Sequence, residues 1–481
     1  MTTIQHSPRT YPLLLGGSLS EGSGSHWDIH NPYSGELVGR APLADRAQVT
    51  EAIDAACAAA AAAAALPSHA RAAALDRVRT GLTERRDEVA GVLAQEAGKP
   101  LGLARAEVDR AVFVFQQGAE EAKRIGGEVL PMDLAPNGDR RWAITRHFPR
   151  SPIAAITPFN FPVLLAAHKL APAMACGATM VLKPPPQDPL STLLLAEIVG
   201  QSGYPGGAIS IVPCTNDDAA PLLDDPRVRM VSFTGSAKVG WMIRQRAAMK
   251  QVALELGGNA AVIIEPDADL AHAVQRCVAG GYLFAGQSCI STQRILVHQR
   301  VYEKFVERFV PAITALKTGD PMADGVDVGP MIDEANARRA QEWIEEARAR
   351  GARVVGGIRE KAVLTPAVIL DSTSDMRVNC EEVFAPVTTV RPYHDLEQAI
   401  ATVNGSPYGL QTGLFTFDMR TILSAFERLD VGAVVINDVP GFRVDHVPYG
   451  GVKQSGIGRE GVRSAIQEMT ELRVLMLGSE R

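Results

Sequence analysis

The sequence predicts an α/β protein built from two successive parallel-sheet α/β units, with a small extra β-sheet apart from both. Three observations predict it. From residue 150 onward, short apolar runs alternate with helical stretches, a second such alternation begins near residue 260, and two strand-like runs belong to neither series. Near-continuous apolar strands alternating with helices mark a parallel sheet covered on both faces.

Taken in chain order, the segment "RAQVTEAIDAACAAAAAAAALPSHARAAALDRVRTGLTERRDEVAGVLAQEAGKP" at 46–100 carries Ala, Leu and charge at helical spacing and stops at a Gly and a Pro. It predicts packed helices over 45–125, the alanine run serving as a high-propensity helix. "IAAITP", "TMVLKP", "ISIVP" and "RMVSFTG" read as buried strands, with "LLAAHKLAPAMACG", "STLLLAEIVGQSG" and "SAKVGWMIRQRAA" as helices between and after them. In the second series "AAVIIEP", "RILVH", "ARVVGG", "VTTVRPY", "TGLFTF" and "AVVIND" are strands, with helices at 300–316 and 333–350. The outlying strands are "RRWAITRHFP" at 140–149 and "EMTELRVLMLG" near the end, which suit an added sheet for contacts between subunits.

Composition narrows the function classes. The 481 residues are 46% hydrophobic and 21% charged with net charge −6, a profile of a soluble globular chain. No Lys/Arg-rich block offers a footprint for nucleic acid or an anionic membrane. No stretch of about 20 apolar residues predicts a membrane span. The opening "MTTIQHSPRTYPLLLGG" lacks the basic flank and apolar core of a secretory leader. Six cysteines are dispersed without a CxxC pair, which argues against a disulfide framework or a metal site and fits a reducing cytoplasm.

Several short stretches carry possible chemistry, each with a plain structural alternative. Cys289 in "GQSCIS" is either a buried thiol or a nucleophile. "SGIGREG" at 455–461 contains G-x-G-x-x-G but follows a glycine-rich turn rather than a strand, so the dinucleotide-binding reading is rejected. "VSFTGSAKVG" ends a strand and opens a helix with Gly235, Ser236 and Gly240, either a phosphate seat or an ordinary turn. "VALELGGNA" sets Glu255 before a Gly-Gly turn, as an edge carboxylate or a base. "ITPFNFP" fixes Asn160 between aromatic residues and prolines, as an Asx-turn or an oxyanion donor.

Together, "TPFNFP", "KPPP", "FTGS", "ELGGNA", "GQSCIS", "EEVFAPV" and "PYGGVKQSGIGRE" occur in the order found in the aldehyde dehydrogenase superfamily. The chain resembles that family from "EAGKP" at 96–100 to its C-terminal strand. The resemblance implies an NAD(P)-binding domain over 1–126 and 150–257, a catalytic domain over 258–447, and oligomerisation strands over 127–149 and 465–481. It implies that Cys289 attacks an aldehyde, that Asn160 and the Cys289 N–H hold the oxyanion, and that Glu255 activates the water that hydrolyses the thioester. Glu460 matches a second acidic residue that passes the proton onward. A hydride leaves readily only from a tetrahedral carbon bearing negative oxygen, so covalent attack and oxyanion stabilisation belong together.

For NAD or NADP, the resemblance implies Lys183 at the adenosine ribose, Gly235 and Ser236 at the pyrophosphate and Glu382 at the nicotinamide ribose, with Gly240 and Leu256 also among the cofactor-binding residues. Phe384 is expected beside the nicotinamide and Phe159 near the adenine end. Where NAD-preferring members often carry Glu, this chain has Pro186, which removes a carboxylate that would repel a 2′-phosphate and predicts NADP acceptance. For the substrate, His168 falls where many members place an aromatic tunnel residue, Ser288 leaves space beside the nucleophile, and Arg443 in "GFRVDHVPYGG" lines the mouth or pairs with an internal acid. That stretch resembles lactaldehyde and non-phosphorylating glyceraldehyde-3-phosphate members, which implies short polar or anionic aldehydes. The family is usually a homodimer or homotetramer. The rival readings are a coenzyme A-acylating member, a non-enzymatic binding relative, and a cysteine hydrolase.

Overall fold

The computed structural model describes residues 9–247 and 249–478. Residues 1–8, on which part of the leader reading rests, and 479–481, the end of the predicted 465–481 segment, lie outside them.

The first sheet has eight strands, in the order Gly456–Ile457, Gln251–Glu255, Met230–Thr234, Ile153–Ile156, Met180–Lys183, Ile209–Ile211, Leu13–Leu15, Ser18–Ser20. The central ones run parallel, and antiparallel partners close both edges. Register decides what this sheet can do. Thr234 lies opposite Glu255, and Ile156 lies between Phe233 and Lys183. The carboxyl ends are therefore level, and the loops they launch share one edge, where open α/β sheets bind ligands.

The second sheet runs Arg353–Gly356, Ala367–Leu370, Val387–Tyr393, Arg294–His298, Ala261–Ile264, Gln411–Phe415, Ala433–Ile436. Every pairing is parallel except the first. The predicted α/β class with two parallel sheets is met. The run "AVIL" at Ala367–Leu370 was not predicted as a strand, although it is wholly buried. It is four residues long and follows a proline, too short for a periodic signal. A third sheet joins Thr470–Leu477, Trp142–Pro149 and Val129–Pro131, all antiparallel.

The predicted helical stretch resolves into Arg46–Ala65, Ser68–Glu84, Arg86–Ala97 and Leu101–Ala122. Asp45 starts the first with a capping box: its side chain accepts from Gln48 N–H while the Gln48 side chain accepts from Asp45 N–H. Ala52, Ala56, Ala59 and Ala63 are buried, so the alanine run provides a close-packing face. The third helix stops at Gly98, whose φ of +67° is the left-handed termination that glycine adopts without strain.

Lys99 follows immediately, and it is fully buried. Its Nζ pairs with Glu107, donates to the Asn160 carbonyl at 2.7 Å, and sits 4.1 Å and 4.3 Å from the Phe161 and Phe284 ring centres. Glu107 Oε1 in turn accepts the Val163 and Leu164 amides, which caps the helix Pro162–Cys176. Phe284 comes from the chain of the second unit yet packs in the core of the first. One ammonium thus ties the loop bearing Asn160 to both units. Breaking a buried pair leaves a charge without compensation, at a cost of about 3–5 kcal/mol. Lys99→Met is expected to lower the unfolding free energy measured by urea denaturation by that order, with a lower midpoint, and adding Glu107→Gln, which keeps the cap, should recover part of it. An unchanged midpoint contradicts the clamp.

Candidate functional site

The level carboxyl edge of the first sheet faces segments of the second unit across a cavity of about 590 Å³. That size suits an extended small-molecule site. Asn160, Glu255 and Gly235 line it from one side, and Cys289, Glu382 and Arg443 from the other.

Cys289 sits in a constrained turn. Phe284 and Ala285 adopt φ of +48° and +52°, and Gly286 follows at +67°. A side chain on Gly286 would strike the Ala385 carbonyl. Left-handed non-glycine residues in succession store strain that the surroundings must enforce, and such strain clusters at functional sites. Cys289 Sγ lies 3.0 Å from Tyr449 Oη. Burial pushes its thiol up to about 12. Its backbone N–H has no acceptor among the described residues. Ser288 lines the cavity beside it.

Asn160 follows the strand Ile153–Ile156 and is 5% exposed, its Nδ2 donating to the Gln287 carbonyl at 3.1 Å. The amide therefore already touches the segment that carries Cys289. Glu255 ends its strand at the cavity wall, with Oε2 buried and without a hydrogen bond. Burial, then the charge of Glu460, pushes Glu255 well above the carboxylate range. Burial also works against the Glu460 charge, but Arg443, His168 and Lys169 outweigh it and hold that group below its usual value. The Arg443 Nη2 donor reaches Glu460 at 3.0 Å, and Lys169 Nζ lies 3.8 Å away on the other side. Two neighbouring acids are thus driven apart, one toward the neutral form and one toward the charged form.

Arg443 takes the internal-acid alternative and also reaches the cavity. It pairs internally with Glu460 and stacks 3.8 Å over the Tyr449 ring centre, yet it also lines the cavity. Its Nη1 has no hydrogen bond among the described residues. His168, expected along the tunnel, lies behind it instead. The ring is 2% exposed, and Nε2 donates to Asp445 at 3.0 Å. Burial, reinforced by Arg443, holds His168 below its ordinary value. Asp445 also receives a bidentate contact from Arg110 at 2.9 and 2.7 Å. Arg110 lines the cavity as well.

Toward the cofactor side, Gly235 and Ser236 lie between the strand Met230–Thr234 and the helix Ala237–Arg246, with Ser236 as its N-cap. Helix N–H groups exposed at such an end favour a phosphate. Gly240 is buried one turn on, and a side chain there would strike Leu256, so it makes room for that residue rather than lining the cavity. Glu382 Oε1 accepts the Gly258 N–H at 2.7 Å, and burial pushes its carboxyl up to about 7. Phe159 and Phe384, expected at opposite ends of the cofactor, meet edge-to-face with centres 5.8 Å apart and so share one end. Lys183 is 4% exposed at its strand end, and its Nζ has no hydrogen bond among the described residues. These features fit a dinucleotide: a turn for phosphate, a carboxylate for a ribose hydroxyl, and an unpaired ammonium. Among the described residues, no cluster of His, Cys, Asp or Glu could hold a metal, and no single helix is long and apolar enough to cross a membrane.

Sequence reasoning missed Lys99, Glu107, Arg110, Asp445 and Tyr449. Lys99 and Tyr449 stand inside "EAGKP" and "PYGG", which were noted as motifs without a role. Arg110 and Asp445 meet across 335 positions and left no local trace.

The aldehyde dehydrogenase family model matches residues 19–475. A 3-sulfolactaldehyde dehydrogenase of Priestia aryabhattai is 40% identical over 473 residues, 98% of either chain. The crystal structure of aldehyde dehydrogenase 21 from Physcomitrella patens, in complex with the reaction product succinate, superimposes with TM-score 0.96 and 41% identity over 98% of this chain and 99% of that one. Glyceraldehyde-3-phosphate dehydrogenase GapN from Methanocaldococcus jannaschii, complexed with NADP, gives TM-score 0.91 and 36% identity over 95% of this chain and 100% of that one. The chain belongs to the aldehyde dehydrogenase family and is an NAD(P)-dependent oxidoreductase of aldehydes.

Proposed function

We propose that this enzyme oxidises short anionic aldehydes to carboxylic acids through a thioester on Cys289, and that it accepts NADP. The observation that carries the reading is the meeting of Cys289, Asn160 and Glu255 on one cavity whose wall also bears Arg110 and Arg443. Asp445 braces Arg110 at 2.7 Å, and its nearest approach to Arg443 is 3.6 Å. Each arginine keeps Nη1 free of any hydrogen bond among the described residues, so each still has a donor for a substrate carboxylate, sulfonate or phosphate. The sulfolactaldehyde, succinate and glyceraldehyde phosphate in the relatives' names are all anionic or lead to anions, which supports the same class.

In this reading Cys289 Sγ bonds to the aldehyde carbon while Asn160 Nδ2 and the Cys289 N–H take up the oxyanion. When bound, NAD(P) accepts the hydride. Lys183, Gly235, Ser236 and Glu382 would hold it, with Leu256, Phe159 and Phe384 shaping its pocket. Glu255 then takes a proton from the water that attacks the thioester, and its raised affinity for protons suits that task. Glu460, matched to a proton-relay residue by the resemblance, is paired with Arg443 and held below its usual value, so it would set the field around Glu255 rather than store the proton. Ser288 leaves room for the substrate, while His168 acts through Asp445 and Arg443 rather than by contact.

Pro186 is exposed and carries no charge to repel a 2′-phosphate. Free thiols at all six cysteines favour a reducing cytoplasm. An aldehyde panel run with each cofactor tests the reading: glyceraldehyde 3-phosphate, succinate semialdehyde or lactaldehyde should exceed hexanal in kcat/KM. Faster oxidation of hexanal, or NAD preferred over NADP by about 10³-fold in kcat/KM, equivalent to roughly 4 kcal/mol, contradicts it.

We propose further that the chain assembles as a homodimer or homotetramer through its third sheet. Trp142 and Leu475 on one face of this sheet are 61% and 57% exposed, and Leu472 and Met476 on the other are 56% and 65% exposed, apolar surface that a partner would cover. Light scattering should give a mass of two or four chains; a single-chain mass overturns the assembly.

A further inference from the structure

The functional reading leaves Tyr449 without a task, although its hydroxyl is the one side-chain group hydrogen-bonded to Cys289 among the described residues. We propose that Tyr449 is a catalytic residue, a hydrogen-bond donor to the Cys289 sulfur that stabilises the thiolate when it attacks and again when it leaves the thioester. This rests on Cys289 being the nucleophile.

Four observations support it. Tyr449 Oη lies 3.0 Å from Sγ and makes no other hydrogen bond among the described residues. The ring is held firmly, 6% exposed, with the Arg443 guanidinium 3.8 Å over its centre. Ile290 and Leu410 pack with it in one small apolar cluster. Burial, followed by the Cys289 charge, pushes the phenol well above its ordinary value, so it keeps its proton and can donate throughout.

The problem this donor solves is the burial of the thiol. A cavity that excludes water favours S–H over S⁻. The Tyr449 hydrogen bond works in the opposite direction, and the Arg443 charge over the ring adds to it. In the attack, the thiol proton leaves to solvent water in the cavity, so that Glu255 stays free as the base for hydrolysis. The sulfur lone pair forms the C–S bond, and the carbonyl π pair moves to the oxygen held by Asn160. In hydrolysis, water adds its oxygen to the thioester carbon and gives its proton to Glu255. The C–S bond breaks with its electron pair remaining on sulfur, where the Tyr449 O–H receives it. Tyr449 transfers no proton in either step.

The test uses the full-length enzyme and the pH dependence of Cys289 alkylation by iodoacetamide, with Cys289→Ala measured alongside to subtract the other thiols. Tyr449→Phe keeps the ring under Arg443 and removes only the donor. Its alkylation midpoint should rise by about one unit, with kcat down about tenfold and KM within about twofold. Incorporating 3,5-difluorotyrosine at 449, a stronger donor, should lower the midpoint. A midpoint that moves in neither protein overturns the proposal whatever happens to kcat, because a structural role would not tune it. Persistent turnover in Cys289→Ala would instead overturn the nucleophile assignment on which it rests.

Discussion

The geometry of the site depends on one buried cation. Lys99 reaches from the end of one helix to the Asn160 carbonyl, to Glu107 and to two phenyl rings, one from each unit. An ammonium taken out of water must be compensated on every side, so each of these groups is fixed in place by the demand of the charge. The loop that presents the Asn160 amide is held by its own backbone, and the helix behind it is capped by the same carboxylate. In the proposed mechanism, chemistry at Cys289 rests on an anchor that takes no part in it.

Burial then sets the electrostatic character. Cys289, Glu255 and Glu382 are all pushed toward their neutral forms, while Glu460 and Asp445 are held charged by arginine, lysine and histidine neighbours. The groups facing the cavity therefore hold their protons more tightly than in water, with charged pairs behind them. In the proposed mechanism, that arrangement keeps strong fields close to where charge develops. Arg443 links the two layers, since it contacts Glu460, the Tyr449 ring and the cavity at once.

Much of this was legible in the sequence because the reactive residues stand at strand ends. Gly235 and Asn160 each follow an apolar run that predicts a strand, Glu255 ends a strand, Gln251–Glu255, that was not predicted, and parallel register levels their positions. The residues that brace them were not legible. Asp445 meets His168 and Arg110 across 277 and 335 positions, distances over which no periodicity survives. His168 shows the limit from the other side, because a polar residue at an expected tunnel position turned inward once a carboxylate was there to accept its proton. Antiparallel edge strands such as Leu13–Leu15 and Gly456–Ile457 were too short to announce themselves.

The central claim is that an acyl group passes through Cys289 and that Glu255 releases it. Mass spectrometry of the Glu255→Gln enzyme after mixing with NADP and succinate semialdehyde tests it most directly. The account predicts one equivalent of NADPH per chain, no further turnover, and the peptide carrying Cys289 heavier by the aldehyde less two hydrogens. An unmodified Cys289 peptide, or an adduct on another residue, would contradict it.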